Sequence, residues 1–336
     1  MRILFWVPYP HAGASNRYRI EQYLPYLEKS RIKYCSHSFW NSTAYRILYK
    51  KGHYLRKICF FIAGFVSRSI DLFVIYKYDI IFIHRESCPL GGIYFEKILS
   101  LLGKPLIFDF DDAIFLSDSS GQNNFIEKFK NPNKVAKIIE LSTYVIAGNA
   151  YLAEFAKKNN KNTFIIPTTI DTDKYLFNPA VKKNNDFITI GWIGSITTSV
   201  YLNYLKEVFG VLSKKYKNIN FSLIGCNFFL EGIANLASRE WSEQIELDAL
   251  KEFDIGIMPM PDNAWTRGKC GFKAILYMSV GLPCVCSPVG VTKEIVVDGI
   301  NGFLADTENE WIRKLSLLIE DPYLRKKIGL EGRKSV

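Results

Sequence analysis

Metal-binding residues are scarce in this chain. Its seven cysteines (Cys35, Cys59, Cys88, Cys226, Cys270, Cys284 and Cys286) include no CxxC pair, and only four histidines accompany them. That argues against a disulfide scaffold and a structural zinc centre, and it fits a reducing cytoplasm. Long apolar runs are also lacking. The longest near a basic cluster is 58–66, and nine residues cannot cross about 30 Å of hydrocarbon. No transmembrane segment is therefore expected. The opening MRILFWVPYP has no extended apolar region and no small-residue cleavage site, so it reads as a strand and its loop, not as a signal peptide. There is neither a GxGxxG fingerprint nor a Walker loop. Acids are outnumbered, 33 against 43 Lys and Arg, which leaves a net charge of +10. No recognised nucleic-acid motif goes with that charge, and nucleic acid is not an expected partner.

What is present is a globular composition, 48% hydrophobic and 23% charged. At 336 residues the chain is long for one core and comfortable for two. The charge is uneven. Residues 1–110 hold 16 Lys or Arg against 7 Asp or Glu, and 46–68 hold six of those cations and no acid. Leu48, Leu55, Ile58, Phe60, Phe61, Ile62 and Phe65 lie among them. Such a mix can rest in the plane of an anionic membrane. It can equally be an ordinary helix pair with one buried side.

Strands and helices alternate along the chain. Strands are expected at 3–7, 79–84, 104–109, 144–147 and 163–166, with helices at 17–30, 93–102, 132–142 and 151–158 between them. Composition changes at 167–173 and again at 182–186. A linker over 171–186 then separates an N-terminal domain, 1–170, from a C-terminal domain, 187–336. In the second half, strands are expected at 187–193, 220–224, 254–258 and 283–287, and helices at 200–216, 245–253, 269–280, 292–297, 311–320 and 322–331. The expected fold is α/β: two Rossmann-like parallel-sheet domains facing across a crevice.

The most informative stretch is 267–290, RGKCGFKAILYMSVGLPCVCSPVG. Arg267, Lys269 and Lys273 sit within seven residues, and no acid occurs between Arg267 and Gly290. A basic loop that opens a helix at a sheet's edge suits an anion, above all a phosphate. A solvated basic loop before a packing helix is the plain rival. A second turn, 191–198, follows the first strand of the second domain. Gly194 permits close backbone approach, and Ser195, Thr197 and Thr198 offer N–H and hydroxyl groups to phosphate oxygens. A tight turn with a helix cap explains it about as well. In the first domain, Gly13, Ala14 and Ser15 form a small-residue loop followed by Arg17 and Arg19, and an arginine there suits an anionic group. Asp109, Asp111 and Asp112 cluster at a strand end, where three carboxylates repel and need a reason. Arg85 and Glu86 leave the neighbouring strand as an expected ion pair, with Glu86 also a candidate acid or base.

With these motifs in place the chain resembles the retaining glycosyltransferases of family 4, glycosyl transferase group 1, of bacterial surface-glycan type and GT-B fold. The resemblance rests on the early glycine loop, Asp-Phe-Asp-Asp at 109–112, Gly-Trp-Ile-Gly-Ser at 191–195, 253–259, 268–283, Ser-Pro-Val-Gly at 287–290, Glu294-Ile-Val, and 298–304. It implies transfer of a sugar from a nucleoside diphosphate to a glycan or lipid-linked acceptor in surface polysaccharide biosynthesis, including lipopolysaccharide. It implies a cytoplasmic protein, peripheral on the inner face of the cell membrane. The donor-binding residues it implies are Gly13, Gly194, Ser195, Thr197, Arg267, Gly268, Lys269, Cys270, Gly271, Lys273, Gly290 and Glu294. Arg17, Arg85, Glu86, Asp109 and Asp112 fall on the acceptor side. The family's two glutamates, eight residues apart, fall on Gly268 and Leu276, and its first-domain histidine falls on Asp111. The family's usual closing helix has no counterpart in the sequence, so an unusually short or truncated C-terminus is expected.

The implied chemistry is same-face attack. Negative charge grows on the departing phosphate, and cations aimed there gain strength in the transition state. Lys273 and Lys269 are the expected catalytic cations, and Asp111 the group that positions donor hydroxyls or stabilises ring charge. Neither a metal nor another cofactor is expected, since lysines take the metal's place. Two rivals stand beside this reading: a nucleotide-sugar epimerase of the same build, and a non-catalytic partner that keeps the fold for binding.

Overall fold

The computed structural model describes residues 1–50, 52–116, 133–175 and 187–336. The polar stretch 182–186, assigned above to the linker, lies outside the described residues, as do Lys51 and Pro132. The chain forms two compact units. Unit 1 is Met1–Thr168 with Gly268–Cys270, and unit 2 is Thr169–Arg267 with Gly271–Val336.

Unit 1 runs β1 (Arg2–Val7), α1 (Ala14–Arg19), α2 (Leu24–Lys29), β2 (Lys33–Ser38), α3 (Ser42–Leu48), α4 (Tyr54–Val74), β3 (Ile80–His84), α5 (Tyr94–Leu101), β4 (Leu106–Phe110), α6 (Lys134–Leu141), β5 (Tyr144–Ala147), α7 (Ala150–Lys157) and β6 (Thr163–Ile165). Its parallel sheet has the order β2-β1-β3-β4-β5-β6. The unbroken apolar run of β1, with Leu4, Trp6 and Val7 buried, is what a strand covered on both faces requires. The chain steps out from β1 to β2, then returns to place β3 on the other side of β1. The loops after β1 and β3 thus open at a topological switch point, where ligands bind in such sheets.

Unit 2 runs β7 (Ile188–Ile193), α8 (Ile196–Ser199), α9 (Lys206–Lys215), β8 (Ile219–Ile224), β9 (Leu236–Arg239), α10 (Glu243–Glu252), β10 (Ile255–Met258), α11 (Ala264–Arg267), α12 (Phe272–Ser279), β11 (Cys284–Cys286), α13 (Thr292–Ile295), β12 (Phe303–Leu304), α14 (Glu308–Glu320) and α15 (Pro322–Lys334). The sheet order is β12-β11-β10-β7-β8-β9, so β7 and β10 flank its switch point. Trp192, Phe209, Phe221, Ile257, Trp311 and Leu315 are among the buried side chains of its core. Two parallel-sheet α/β units were the expected fold class, and two are found, each with six strands where five and four had been expected.

Some elements differ from expectation. The helix over 17–30 is broken into α1, a 3-10 turn at Glu21–Tyr23, and α2. Pro25 lies in the first turn of α2, where its missing N–H costs least. Likewise 200–216 divides into a 3-10 stretch, Val200–Leu205, and α9. Strands β2 and β9 carry no apolar alternation (KYCSHS and LASR), because each is a sheet edge with little to bury.

The largest difference in element length concerns α4. Together with the turn that follows, it makes a continuous helix, Tyr54–Lys77, of 24 residues. By length and composition it is long and apolar enough to cross a membrane. Counting the linear run 58–66 missed this, because Arg68 and Asp71 interrupt the run yet both lie on the inner, buried face of the helix.

Candidate functional site

In unit 1 the parallel register sets His84 beside Asp109. Both are buried, and His84 Nδ1 lies 2.7 Å from Asp109 Oδ2. Arg19, at the end of α1, grips the same carboxylate with Nε, at 3.2 Å, and with Nη2. Its Nη1 donates to the Ile166 carbonyl at 2.7 Å. Burial alone would raise the Asp109 carboxyl, but Arg19 and His84 outweigh it and hold its pKa below the ordinary value. His84 Nε2 has no hydrogen-bond partner among the described residues. It lies 3.9 Å from Asp111 Oδ1.

The next link is Arg85. Its φ of +62° is rare for a residue with a side chain, and it turns the guanidinium onto the acidic loop after β4. Arg85 Nε donates to Asp111 Oδ1 at 2.7 Å, and Nη2 to Asp112 Oδ2 at 2.6 Å. Desolvation would raise the half-buried Asp111 carboxyl, yet Arg85 and His84 keep its pKa well below the ordinary value. Lys269 Nζ reaches Asp112 Oδ1 at 3.3 Å. The three carboxylates are therefore interleaved with Arg19, Arg85 and Lys269, which removes the repulsion that the sequence suggested.

Asn149 fixes the Lys269 backbone. Its Oδ1 accepts from the Leu152 N–H to cap α7, while Nδ2 donates to the carbonyls of Gly268 and Lys269 at 3.0 and 3.2 Å. A Cβ at Gly268 would come within 2.6 Å of the Ala113 Cβ, so this position excludes any side chain, a glutamate included. Cys270 donates its thiol to the Asp111 carbonyl at 3.2 Å. Burial, then Asp111 and Asp112, push that thiol far up, so it stays protonated and is no nucleophile.

The remaining unit 1 candidates divide. Gly13 precedes α1 and is hemmed by Tyr9 and the Pro10 carbonyl. Arg17 is buried, with Nη1 3.4 Å from the His11 and Ala12 carbonyls, and so braces that loop. Arg85 and Glu86 do not pair, contrary to expectation. Arg85 is taken by the aspartates, and Glu86 meets Lys134 at 2.6 Å.

In unit 2 the site is built around Lys273. Tyr277, fully buried one turn further along α12, accepts from the Ile193 N–H at 3.1 Å and lies 3.3 Å from the Ile257 carbonyl, to which it donates. This pins α12 across β7 and β10. Four residues earlier on the same helical face, Lys273 is brought over Trp192, its Nζ 5.6 Å from the ring. Gly194 makes the room. A Cβ there would strike the Trp192 ring and lie 3.0 Å from Lys273 Cε. Gly271, with φ +65°, starts α12.

The turn after β7 is tied to itself. The Ser195 N–H donates to Thr198 Oγ1 at 3.2 Å, and the Ser195 and Thr197 hydroxyls are 2.9 Å apart. Arg267 is exposed and pairs with Asp262 at 2.6 Å. A Cβ at Gly290, φ +53°, would meet the Arg267 carbonyl at 2.7 Å. Glu294 is exposed on α13, and Leu276 is buried in the core, where an unpaired glutamate would be costly. The unit 2 candidates that come together are Gly194 and Lys273, with Trp192. Sequence reasoning did not single out Trp192 or Tyr277, nor His84 and Asn149 in unit 1, and it read Arg19 only as a cation for an anionic ligand, whereas Arg19 is taken by Asp109. The strand-end His-Arg-Glu at 84–86 was the one visible signal.

Residues 188–321 match the family model described as Glycosyl transferases group 1. An uncharacterized glycosyltransferase of Methanocaldococcus jannaschii is 24% identical over 236 residues, which is 66% of this chain and 60% of that protein. Sucrose-phosphate synthase of Thermosynechococcus elongatus superposes with a TM-score of 0.68 at 13% identity, covering 99% of this chain and 93% of its own. Anabaena HepE, solved with UDP and glucose, gives 0.64 at 14% identity, covering 99% and 94%. The fold is that of the GT-B glycosyltransferase structures, and the chain spans 60% of the length of the archaeal relative it matches.

Proposed function

We propose that this protein is a retaining glycosyltransferase of family 4. It moves a sugar from a nucleoside diphosphate onto a glycan or lipid-linked acceptor, in surface polysaccharide synthesis. The observation that carries the reading is the Trp192–Gly194–Lys273 group at the switch point of unit 2, within the group 1 domain. A lysine held by a helix pinned across β7 and β10 is preorganised, so it stabilises growing phosphate charge without reorganising. HepE was solved with UDP and with UDP-glucose, which supports a nucleoside diphosphate sugar as donor here.

Lys273 is the cation assigned to the diphosphate, with the Gly194 and Ser195 backbone beside it. Asp111, ionised through Arg85, is assigned to the donor sugar. Lys269, paired with Asp112, acts in second place. No metal enters the scheme. The protein would work in the cytoplasm, peripheral to the membrane through 46–68. The test is a mass-spectrometric screen of nucleoside diphosphate sugars against lipid extracts. Sugar must leave the donor and appear on an acceptor. Turnover of no donor under any acceptor condition overturns the reading, and an epimerised donor formed without acceptor replaces it.

A further inference from the structure

The outer face of α4 is built the wrong way round for a helix in water. At 100° per residue Leu55, Ile58, Ile62, Val66, Ile70 and Phe73 fall in one stripe, and all are exposed, Leu55 and Phe73 at 81%. No charged side chain interrupts this stripe. The stripe continues sideways onto α5, where Tyr94, Ile98 and Leu101 are exposed, Leu101 at 78%. Phe65 and Phe95, with ring centroids 5.0 Å apart, join the two helices. A monomer that remained in water would not leave so large an apolar face bare.

The inner face of α4 shows how the helix is used. Arg68 is fully buried, and its guanidinium donates to the carbonyls of Val7, His37 and Ser87 at 3.0–3.1 Å. Asp71 accepts from Trp6 Nε1 and lies the same 2.8 Å from His37 Nδ1. Gly64 lets the helix lie on Phe39. These bonds sew α4 to the ends of β1 and β2 and to the residues after β3. A helix that crossed a bilayer would have to break all of them and carry Arg68 and Asp71 into hydrocarbon.

We infer that α4 and α5 together form a docking face that lies flat in the interface of an anionic bilayer, with unit 1 taking the place of the polar half of an amphipathic helix. This deepens the peripheral-membrane part of the reading above and does not depend on the transfer reaction. Charge selects the occupant. Arg56, Lys77 and Lys97 are exposed on the helical segments that carry the apolar stripe, and Arg46 and Lys50 are exposed just before α4. Across 42–77 and along α5 the acids are Asp71 and Glu96, and both are buried. A two-fold pairing with a second copy would set cations against cations with no carboxylate to answer them. Anionic headgroups answer the cations, and acyl chains answer the stripe.

The test uses the full chain with vesicles of phosphatidylcholine, alone or mixed with equal phosphatidylglycerol. Binding should favour the anionic vesicles and weaken with salt. Ile62→Glu combined with Phe73→Glu should weaken it about a hundredfold, since two large apolar side chains no longer enter the interface. Phe229→Glu, an equally exposed site in unit 2, should bind as the unaltered chain does. Anionic vesicles should also protect Cys59, exposed on α4, from maleimide while leaving Cys35, exposed on β2, reactive. Equal binding to both vesicles, binding unchanged in the double variant, or equal protection of the two cysteines would overturn the inference. So would a dimer abolished by the same two substitutions, which would make the occupant a second copy. Sugar transfer to a soluble acceptor without vesicles is scored separately. Its absence would remove the transfer reading and leave the docking face standing.

Discussion

The polar clusters at the switch points of the two units are opposites in construction. In unit 1, Arg19, His84, Asp109, Asp111, Arg85, Asp112 and Lys269 form one chain of alternating charge, buried at its inner end. In unit 2 a single lysine leans on Trp192 beside a turn whose hydroxyls bond one another in the open. Buried, interlocked charges are rigid and fail together when one is removed. Lys273 sits on a helix that Tyr277 anchors by its own two hydrogen bonds, so the helix stays held when Lys273 is replaced, and what that cation does for a ligand can be measured. The contrast separates stability from chemistry.

The largest effect is expected where the chain of charges is deepest. Arg19→Ala leaves Asp109 buried without its main partner and should cost about 3–5 kcal/mol of stability, read from urea unfolding. The same group sets an acid limit. A carboxyl with a depressed folded pKa contributes stability above its unfolded value of about 4, and that contribution is lost as pH falls through the folded value. Asp109→Asn should therefore be less stable at neutral pH and should flatten the acid limb of the pH–stability curve. A limb of unchanged slope would show that Asp109 is not responsible.

Smaller effects come from unit 2 and from Asp111 of unit 1. Gly194→Ala drives a Cβ into Trp192 and should cost about 1–3 kcal/mol by overpacking, visible as a lower thermal midpoint. An unchanged midpoint would mean that Trp192 yields freely. Asp111→Asn should lower turnover and leave free-nucleotide affinity close to normal, which a split between kcat and ligand titration would show. Arg267→Ala should be smallest of all. Its pair with Asp262 is exposed, and such pairs contribute little, so the unfolding midpoint should stay where it is.

What could be read from the residues follows the same division. The alternation of apolar strands with periodic helices was legible because buried parallel strands are written as continuous apolar runs. Edge strands β2 and β9 were not, since half-exposed strands carry no such signal. The acidic group 109–112 was legible as a cluster but not as a balanced one. Its partners Arg19, Arg85 and Lys269 lie far away in sequence, and only the parallel register of β3 and β4 brings His84 to Asp109. The lysine at 273 stood out by charge. Its support did not, because Tyr277 reads as an ordinary core aromatic until its hydroxyl is seen to bridge β7 and β10.

The account turns on Lys273. The most direct measurement is calorimetric titration of UDP and UDP-glucose into the full chain and its Lys273→Ala variant, with donor turnover recorded on the same samples. The account predicts that the variant keeps its unfolding midpoint, binds nucleotide more weakly, and loses about a hundredfold or more in turnover, the scale of one lost preorganised donor. Undiminished affinity and turnover in a folded variant would contradict it.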